Sequence, residues 1–414
     1  MSIVVPFKAL RPKRQFVRAV SSYPYDVVSV KEAIEIVKDN PLNFLHVEKS
    51  EIDLHASMGA NDESQYKIAK SNLDKLAQGN ILFREKKNCF YIYRQKAISH
   101  EQYGIVAGIS LAEYEAGEIR KHELTKADKE LDRILHVMAV DAQTGPVFVT
   151  YRARDFIDRM VKKKVESKPE YDFVSEDGIS HTVWVISAEK DIADLIKAFA
   201  EVRTLYIADG HHRAAAAAAV RRLKKEAHPG GGKNEPYEYV MAVLFPHNQL
   251  KIMSYNRAMK DLNGLNEAEF LRRVRERFLV SDNFAEKSPA QFHDIGMYLG
   301  ARWYKLYPKD NTYDKNDPIK VLDVSILQDN LLAPILGIQN PRTDERIEYI
   351  GGIRGVRELE RLVNSGEFAV AFSLFPTTME QLMAVADAGK VMPPKSTWFE
   401  PKLRSGIFIY LLTS

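Results

Sequence analysis

The stretch LYIADGHHRAAAAAAV, residues 205–220, runs an apolar segment of strand length into an acid, a glycine, two histidines, an arginine and an unbroken alanine tract. The apolar run ends at Ala208, Gly210 permits a tight turn, and alanine has the highest helix propensity of any residue. Strand, turn and helix in that order mark an α/β unit, with the polar residues at the handover between elements. Three readings of the turn stand side by side. Exposed amides at the start of the helix attract anions, and Arg213 adds a forked donor for phosphate or carboxylate, with Asp209 at the strand's edge as a base or a magnesium (Mg2+) ligand. A metal site built on His211 and His212 is disfavoured, because neighbouring side chains on a helix point about 100° apart and do not converge on one ion. In the third reading Asp209 caps the helix, and the histidines bond to nearby backbone and water.

Upstream, Ser29 followed by Glu32 in SVKEAIEIVKDN is a capping-box pattern, which puts Asp26 just before a helix that should end near Asn40-Pro41. Residues 62–78 read as a helix stopped by Gly79, and ILFREKKNCFYIYRQ reads as strand, its alternation at Phe90 and Ile92 suiting a half-buried hairpin. From Ser110 to about Val140 the pattern is helical, most of its charges forming a solvated face. PVFVTY is a strand, a polar helix follows, a hairpin surrounds Gly178, and another helix begins near Asp191. HPGGGKNEP, residues 228–236, lacks the Gly-Lys-Ser/Thr ending of a phosphate loop and reads as a connector before the strand YVMAVLF. Beyond residue 264 helices and strands alternate again, ending in AVAFSLFP, a helix near Met379 to Ala388, and the donor-rich segment MPPKSTWFEPKLRSG.

Composition narrows the function classes. With 414 residues the chain is long enough for two or three domains, and 45% hydrophobic against 28% charged residues is the balance of a globular protein. The 59 basic and 56 acidic residues leave a formal charge of only +3, so bulk charge points to no nucleic-acid partner. Cys89 is the single cysteine, which rules out an intramolecular disulfide and fits a reducing compartment. No run approaches about 18 apolar residues and the N-terminal order is the reverse of a signal peptide's, so no membrane partner and a cytoplasmic location are expected.

ADGHHR between a strand and an alanine-rich helix resembles the signature of the ParB/sulfiredoxin-like superfamily, whose members set a Gly-x-x-Arg or Gly-x-His-Arg turn against a phosphate-bearing ligand. Sulfiredoxins carry a cysteine after the glycine, where this chain has His211, and ParB proteins add a DNA-binding helix pair that is not recognisable here. The free-serine kinases of the superfamily have an Asp-Gly-x-His-Arg turn, matched by Asp209, Gly210, His212 and Arg213. PFKALRP, YPYDVVS, KHELT and MPPKSTWFEPKLRSG extend the resemblance over nearly the full length to a long-form branch associated with pyrophosphate as donor.

The resemblance implies an α/β (α+β) fold, with a mixed-sheet core over residues 1–262 that carries a largely helical insertion around 60–140. An α/β region over 263–414 is expected to contribute a basic loop to the site. It implies a kinase converting L-serine to O-phosphoserine with pyrophosphate and Mg2+, in cysteine or serine metabolism. ATP or ADP is the alternative donor, and a ParB-like nucleotide-binding regulatory or DNA-binding module the alternative class. On this reading Asp209 and Asp26 are candidate proton acceptors, with Asp209 also a metal ligand, while His211, His212 and Arg213 hold the phosphoryl group. Gly210, Lys121, His122, Thr125, Arg133, Lys395, Ser396, Thr397 and Lys402 are candidate phosphate contacts. An acid ahead of the glycine favours chemistry over simple phosphate binding, because a bare carboxylate repels phosphate.

Overall fold

The computed structural model describes residues 1–54, 63–230, 232 and 234–413. The first residue of the expected 62–78 helix, and Gly231 and Lys233 of the expected connector, lie outside the described residues. The chain forms two units, one of Met1–Leu250 with Pro401–Ser414 and one of Lys251–Glu400. The division thus falls at 250, where the sequence suggested 262, and the last fourteen residues return to the first unit.

A nine-stranded mixed sheet organises the first unit. Its strands are β1 (Val4–Val5), β2 (Phe90–Ala97), β3 (His100–Ser110), β4 (Ile119–Arg120), β5 (Val147–Tyr151), β6 (Tyr171–Val174), β7 (Ser180–Ile186), β8 (Leu205–Asp209) and β9 (Tyr239–Pro246). They lie in the order β4-β8-β5-β9-β3-β2-β7-β6, with β1 also pairing with β3. β4 with β8 and β5 with β9 are parallel, and the other neighbours are antiparallel. This is the mixed α/β class expected from the sequence.

The region 60–140 is not largely helical: β2 and β3 form a hairpin in the middle of the sheet, Ala97 opposite His100. Nor is that hairpin half-buried. Phe90, Ile92 and Ile105 enter the main core, while Tyr91 and Tyr93 on the opposite face are covered by Phe7 and Phe408 from the two ends of the chain. Both faces are therefore apolar, which alternation alone did not reveal.

Helices α1 (Ser64–Gln78), α2 (Ala127–Val140) and α3 (His211–Ala227) belong to this unit, and α3 follows β8 directly. α2 packs against both of the others. Ala214, Ala217 and Ala218 of α3 recur at helical spacing and enter the core with Val147, Val149 and Ile207. Ala216 and Ala219 are buried as well, so the alanine tract lets neighbouring elements approach the helix backbone closely. The expected capping box is present, Ser29 and Glu32 closing the N-terminus of the helix Val30–Val37.

The second unit has a six-stranded antiparallel sheet ordered Phe278–Ser281, Arg302–Pro308, Ile295–Leu299, Val370–Leu374, Tyr255–Met259 and Ile347–Gly351. Leu359 and Leu362 of the helix Gly355–Asn364 pack over it with Tyr298, Trp303 and Ala371. Among the described residues no helix is long and apolar enough to cross a membrane.

Candidate active site

β8 carries Asp209 to the edge of the sheet. Its pairing with β5 shifts between Ile207 and Asp209, a bulge that breaks the two-residue alternation as the strand ends. Gly210 then adopts φ +86°, which an L side chain rarely tolerates, and α3 begins at His211. No side chain caps this helix. Asp209 Oδ1 accepts from the neighbouring Gly210 amide at 2.8 Å, so the capping reading does not describe its role.

Lys402 Nζ donates to Asp209 Oδ2 at 2.7 Å. Burial pushes the Asp209 carboxyl upward, but the Lys402 ammonium and the Gly210 amide outweigh it and hold the group well below the usual carboxylate range. Asp26, Asp209, Gly210, Arg213 and Lys402 line one cavity of about 40 Å³. A cavity of that size accommodates about three waters, the scale of a reacting phosphoryl group.

Arg213 lines the cavity but its guanidinium is anchored beneath it. Nη2 and Nη1 donate to the two oxygens of Glu48 at 2.9 and 3.3 Å, and the Tyr25 ring lies 4.9 Å away. Arg133 also belongs to this buried cluster. It contacts Glu48 at 3.8 Å, Asp132 at 2.7 Å and the face of Tyr25 at 3.9 Å, and it lines a neighbouring cavity of about 20 Å³ with His136 and Arg213 rather than the cavity at Asp209. Glu48 is fully buried; burial raises its pKa, and Arg213 and the other cations more than reverse this, holding it at about 2.

The KHELT segment is not helical. The helix Leu111–Glu115 stops at Gly117, φ +75°, and β4 then pairs with β8 through Ile119 opposite Leu205 and Arg120 opposite Tyr206. This pairing delivers His122 beside His211, their rings 4.6 Å apart and edge to face. Both are buried, at 2% and 3% exposure. Burial pushes His122 down to about 4 and, with His122 adjacent, drives His211 well below its ordinary value, so both are neutral at pH 7. His211 Nδ1 lies 3.9 Å from Glu123 Oε2, and its Nε2 has no hydrogen-bond partner among the described residues.

The other candidates separate. His212 Nε2 accepts from the Lys126 amide at 3.0 Å and so ties the KHELT loop to α3. Thr125 donates to Glu130 at 2.9 Å, and Lys121 lies 4.3 Å from the Tyr114 ring centre. Lys395, Ser396 and Thr397 belong to the second unit, unlike Lys402. There Ser396 donates to the Pro393 carbonyl at 2.7 Å, and the Lys395 carbonyl accepts from Arg257 at 3.1 Å, so the prolines and this arginine fix the loop's backbone.

Glu48 and Glu123 were missed as site residues. Glu48 follows Phe44-Leu45-His46-Val47, and an acid closing an apolar helical turn was the available signal.

Residues 4–325 match the family described as "Protein of unknown function (DUF1015)". The chain belongs to this family. No curated protein matches the DUF1015 chain in sequence. Among solved structures, a conserved hypothetical protein from Pyrococcus furiosus is 15% identical with a TM-score of 0.36, covering 74% of this chain and 95% of that one. A free serine kinase in complex with AMP is 16% identical with a TM-score of 0.37, covering 73% and 91%. SbnI with a C-terminal truncation, from Staphylococcus aureus, is 12% identical with a TM-score of 0.32, covering 74% and 87%.

Proposed function

We propose that this protein is a phosphotransferase that moves a phosphoryl group onto the hydroxyl of free L-serine, with inorganic pyrophosphate as donor and Mg2+ as accompanying cation. The observation that carries the reading is the meeting of Asp26, Asp209, Gly210, Arg213 and Lys402 around one cavity where β8 gives way to α3. The Asp-Gly-x-His-Arg pattern at 209–213, which resembles the turn of free-serine kinases, supports it from the sequence side.

Charge supports a cation in the site. Arg213 and Lys402 line the cavity with Asp26 and Asp209, and the buried Glu48 is shared by Arg213 and Arg133, so the cations and carboxylates of the site balance. An anionic donor therefore brings negative charge that the side chains already paired here do not offset. Asp26 and Asp209 offer oxygen donors from one cavity, which fits Mg2+, an ion held by one or two carboxylates and completed by substrate phosphates. Bound there, Mg2+ would neutralise charge on the phosphoryl oxygens.

The chain's own groups account for positioning. Lys402 sits where it meets non-bridging oxygens, and the uncapped first turn of α3 presents amides and the positive end of its dipole toward the same anion. Serine Oγ forms a bond to the donor phosphorus while the bridging P–O bond breaks and orthophosphate leaves. The hydroxyl proton passes to a cavity carboxylate and then to water. A carboxylate held below its usual range is a weak base, so Asp209 acts chiefly by orienting the hydroxyl and takes the proton late, as a loose phosphoryl-transfer transition state allows.

The test incubates the purified protein with L-serine and Mg2+ and offers pyrophosphate, ATP and ADP in parallel, with O-phosphoserine read by mass spectrometry. Product with pyrophosphate is expected. Product only with a nucleotide keeps the acceptor and overturns the donor; no product with any donor overturns the reading.

A further inference from the structure

The two histidines of the turn do not converge on an ion, but a histidine from elsewhere in the chain does converge with one of them. His122 and Glu123, from the loop after β4, meet His211 at the start of α3, and one ligand atom from each lies within 4.8 Å of the others. We propose that His122, Glu123 and His211 form a binding site for one divalent first-row transition ion of the zinc class, distinct from the carboxylate pair assigned to Mg2+.

Four observations converge on this. First, two imidazoles and one carboxylate are a donor set that suits zinc-class ions, whereas Mg2+ prefers oxygen alone. Second, His211 Nε2 is buried without a hydrogen-bond partner among the described residues, a desolvated polar atom that a bound ion would satisfy. The Glu123 carboxylate lies toward the other ring nitrogen, Nδ1, at 3.9 Å, so rotation of the ring about its Cβ–Cγ bond decides which nitrogen faces the ion. Third, the other ring is oriented from behind, because His122 bonds to the Ile207 carbonyl. A backbone acceptor behind a ligating imidazole fixes its tautomer and direction. Fourth, Glu123 is exposed while the histidines are buried, so the site has an enclosed nitrogen floor and an entry from solvent through the carboxylate.

Distances set what loading requires. Donors sharing an ion at about 2.1 Å in a tetrahedron stand about 3.4 Å apart, so separations of up to 4.8 Å must contract by up to about 1.4 Å. The Glu123 side chain is exposed and on a segment with no regular structure, so its share of this contraction needs no repacking of the core. Three protein ligands leave a fourth position for water or an anionic oxygen, the arrangement of catalytic rather than structural zinc sites.

The experiment strips the full-length protein with chelator and titrates it with zinc alone by calorimetry, then with cobalt alone, following the visible ligand-field bands. One equivalent of zinc and cobalt bands of a low-symmetry nitrogen–oxygen site are expected. Glu123→Gln, at an exposed position, should weaken zinc binding about 100-fold with the circular-dichroism spectrum unchanged, and His122→Asn should abolish the cobalt bands. Absence of stoichiometric binding to the stripped wild type overturns the proposal. So does undiminished binding by folded Glu123→Gln, because the carboxylate is then no ligand. The titrations contain neither serine nor pyrophosphate, so their outcome is independent of the proposed kinase reaction.

Discussion

Arg213 and Glu48 face each other fork to fork beneath the cavity, at 2.9 and 3.3 Å, with the Glu48 side chain wholly removed from solvent. A buried carboxylate shared by two arginines holds both in place, and removing it leaves Arg213 and Arg133 with an uncompensated charge. Glu48→Gln should therefore destabilise the protein by about 3–5 kcal/mol, the range for breaking one side of a buried pair. Urea denaturation measures it. A loss below about 1 kcal/mol would mean that the arginines find other partners and that Glu48 is not their anchor.

Lys402 and Asp209 make a second pair, nearer solvent, and here the expected effect is on chemistry. Replacing Asp209 by Asn keeps the shape and the bond from the Gly210 amide but removes the charge that orients the acceptor. On the proposed function turnover should fall at least about 1000-fold with the unfolding midpoint little changed. Lys402→Met should lower kcat/KM about 100-fold and let the Asp209 carboxyl titrate at higher pH, since the lysine is the largest influence holding it down. Steady-state kinetics across pH reads both effects. Near-normal turnover in folded Asp209→Asn would remove Asp209 from the reaction.

The strand, turn and helix around residue 209 were legible because the signals are local: an apolar run, a glycine with positive φ, and alanines. The capping box at Ser29 and Glu32 is local in the same way. What the sequence hid depends on pairing at a distance. The acid- and base-rich text of 110–140 carries a helical period, yet Gly117 ends the first helix and strand pairing with Leu205 and Tyr206 takes over, which is how His122 reaches His211. Helical geometry speaks only to His211 and His212, neighbours in sequence, and says nothing of a histidine brought in from another element. Arg213 reads as a phosphate ligand from its motif; only the packing of Glu48, 165 residues away, shows that its fork is already engaged.

Gly145 tests how tightly that arrangement is held. A Cβ there would stand 2.6 Å from Arg213 Cζ, well inside van der Waals contact, and the guanidinium cannot retreat without leaving Glu48. Gly145→Ala should destabilise by about 1–3 kcal/mol through overpacking. If Arg213 supports the cavity, the same substitution should raise KM for the phosphoryl donor more than it lowers kcat. An unchanged midpoint and unchanged KM would show that the arginine has room to move.

Acid sensitivity follows from histidines buried away from the cavity. Burial, with Arg133 nearby, pushes His136 down to about 4, and burial, with Arg404 nearby, pushes His181 to about 3. His136 bonds to the Val47 carbonyl at 2.8 Å, and His181 lies between Tyr93 and Ser175 at 2.7 and 2.9 Å. The unfolded chain takes up a proton at each near pH 6.5, whereas the folded chain resists until about pH 4 or below. The unfolded state thus binds more protons across this interval, and stability falls as pH drops through it, by about 3 kcal/mol for His136 alone. This loss begins above the range in which carboxylates protonate, so urea midpoints at about pH 8 and about pH 5 separate the two sources. His136→Gln, which keeps a donor for Val47, should flatten the upper part of the profile. A wild-type midpoint that holds steady between those pH values would mean that the histidines are hydrated when folded, contrary to their packing.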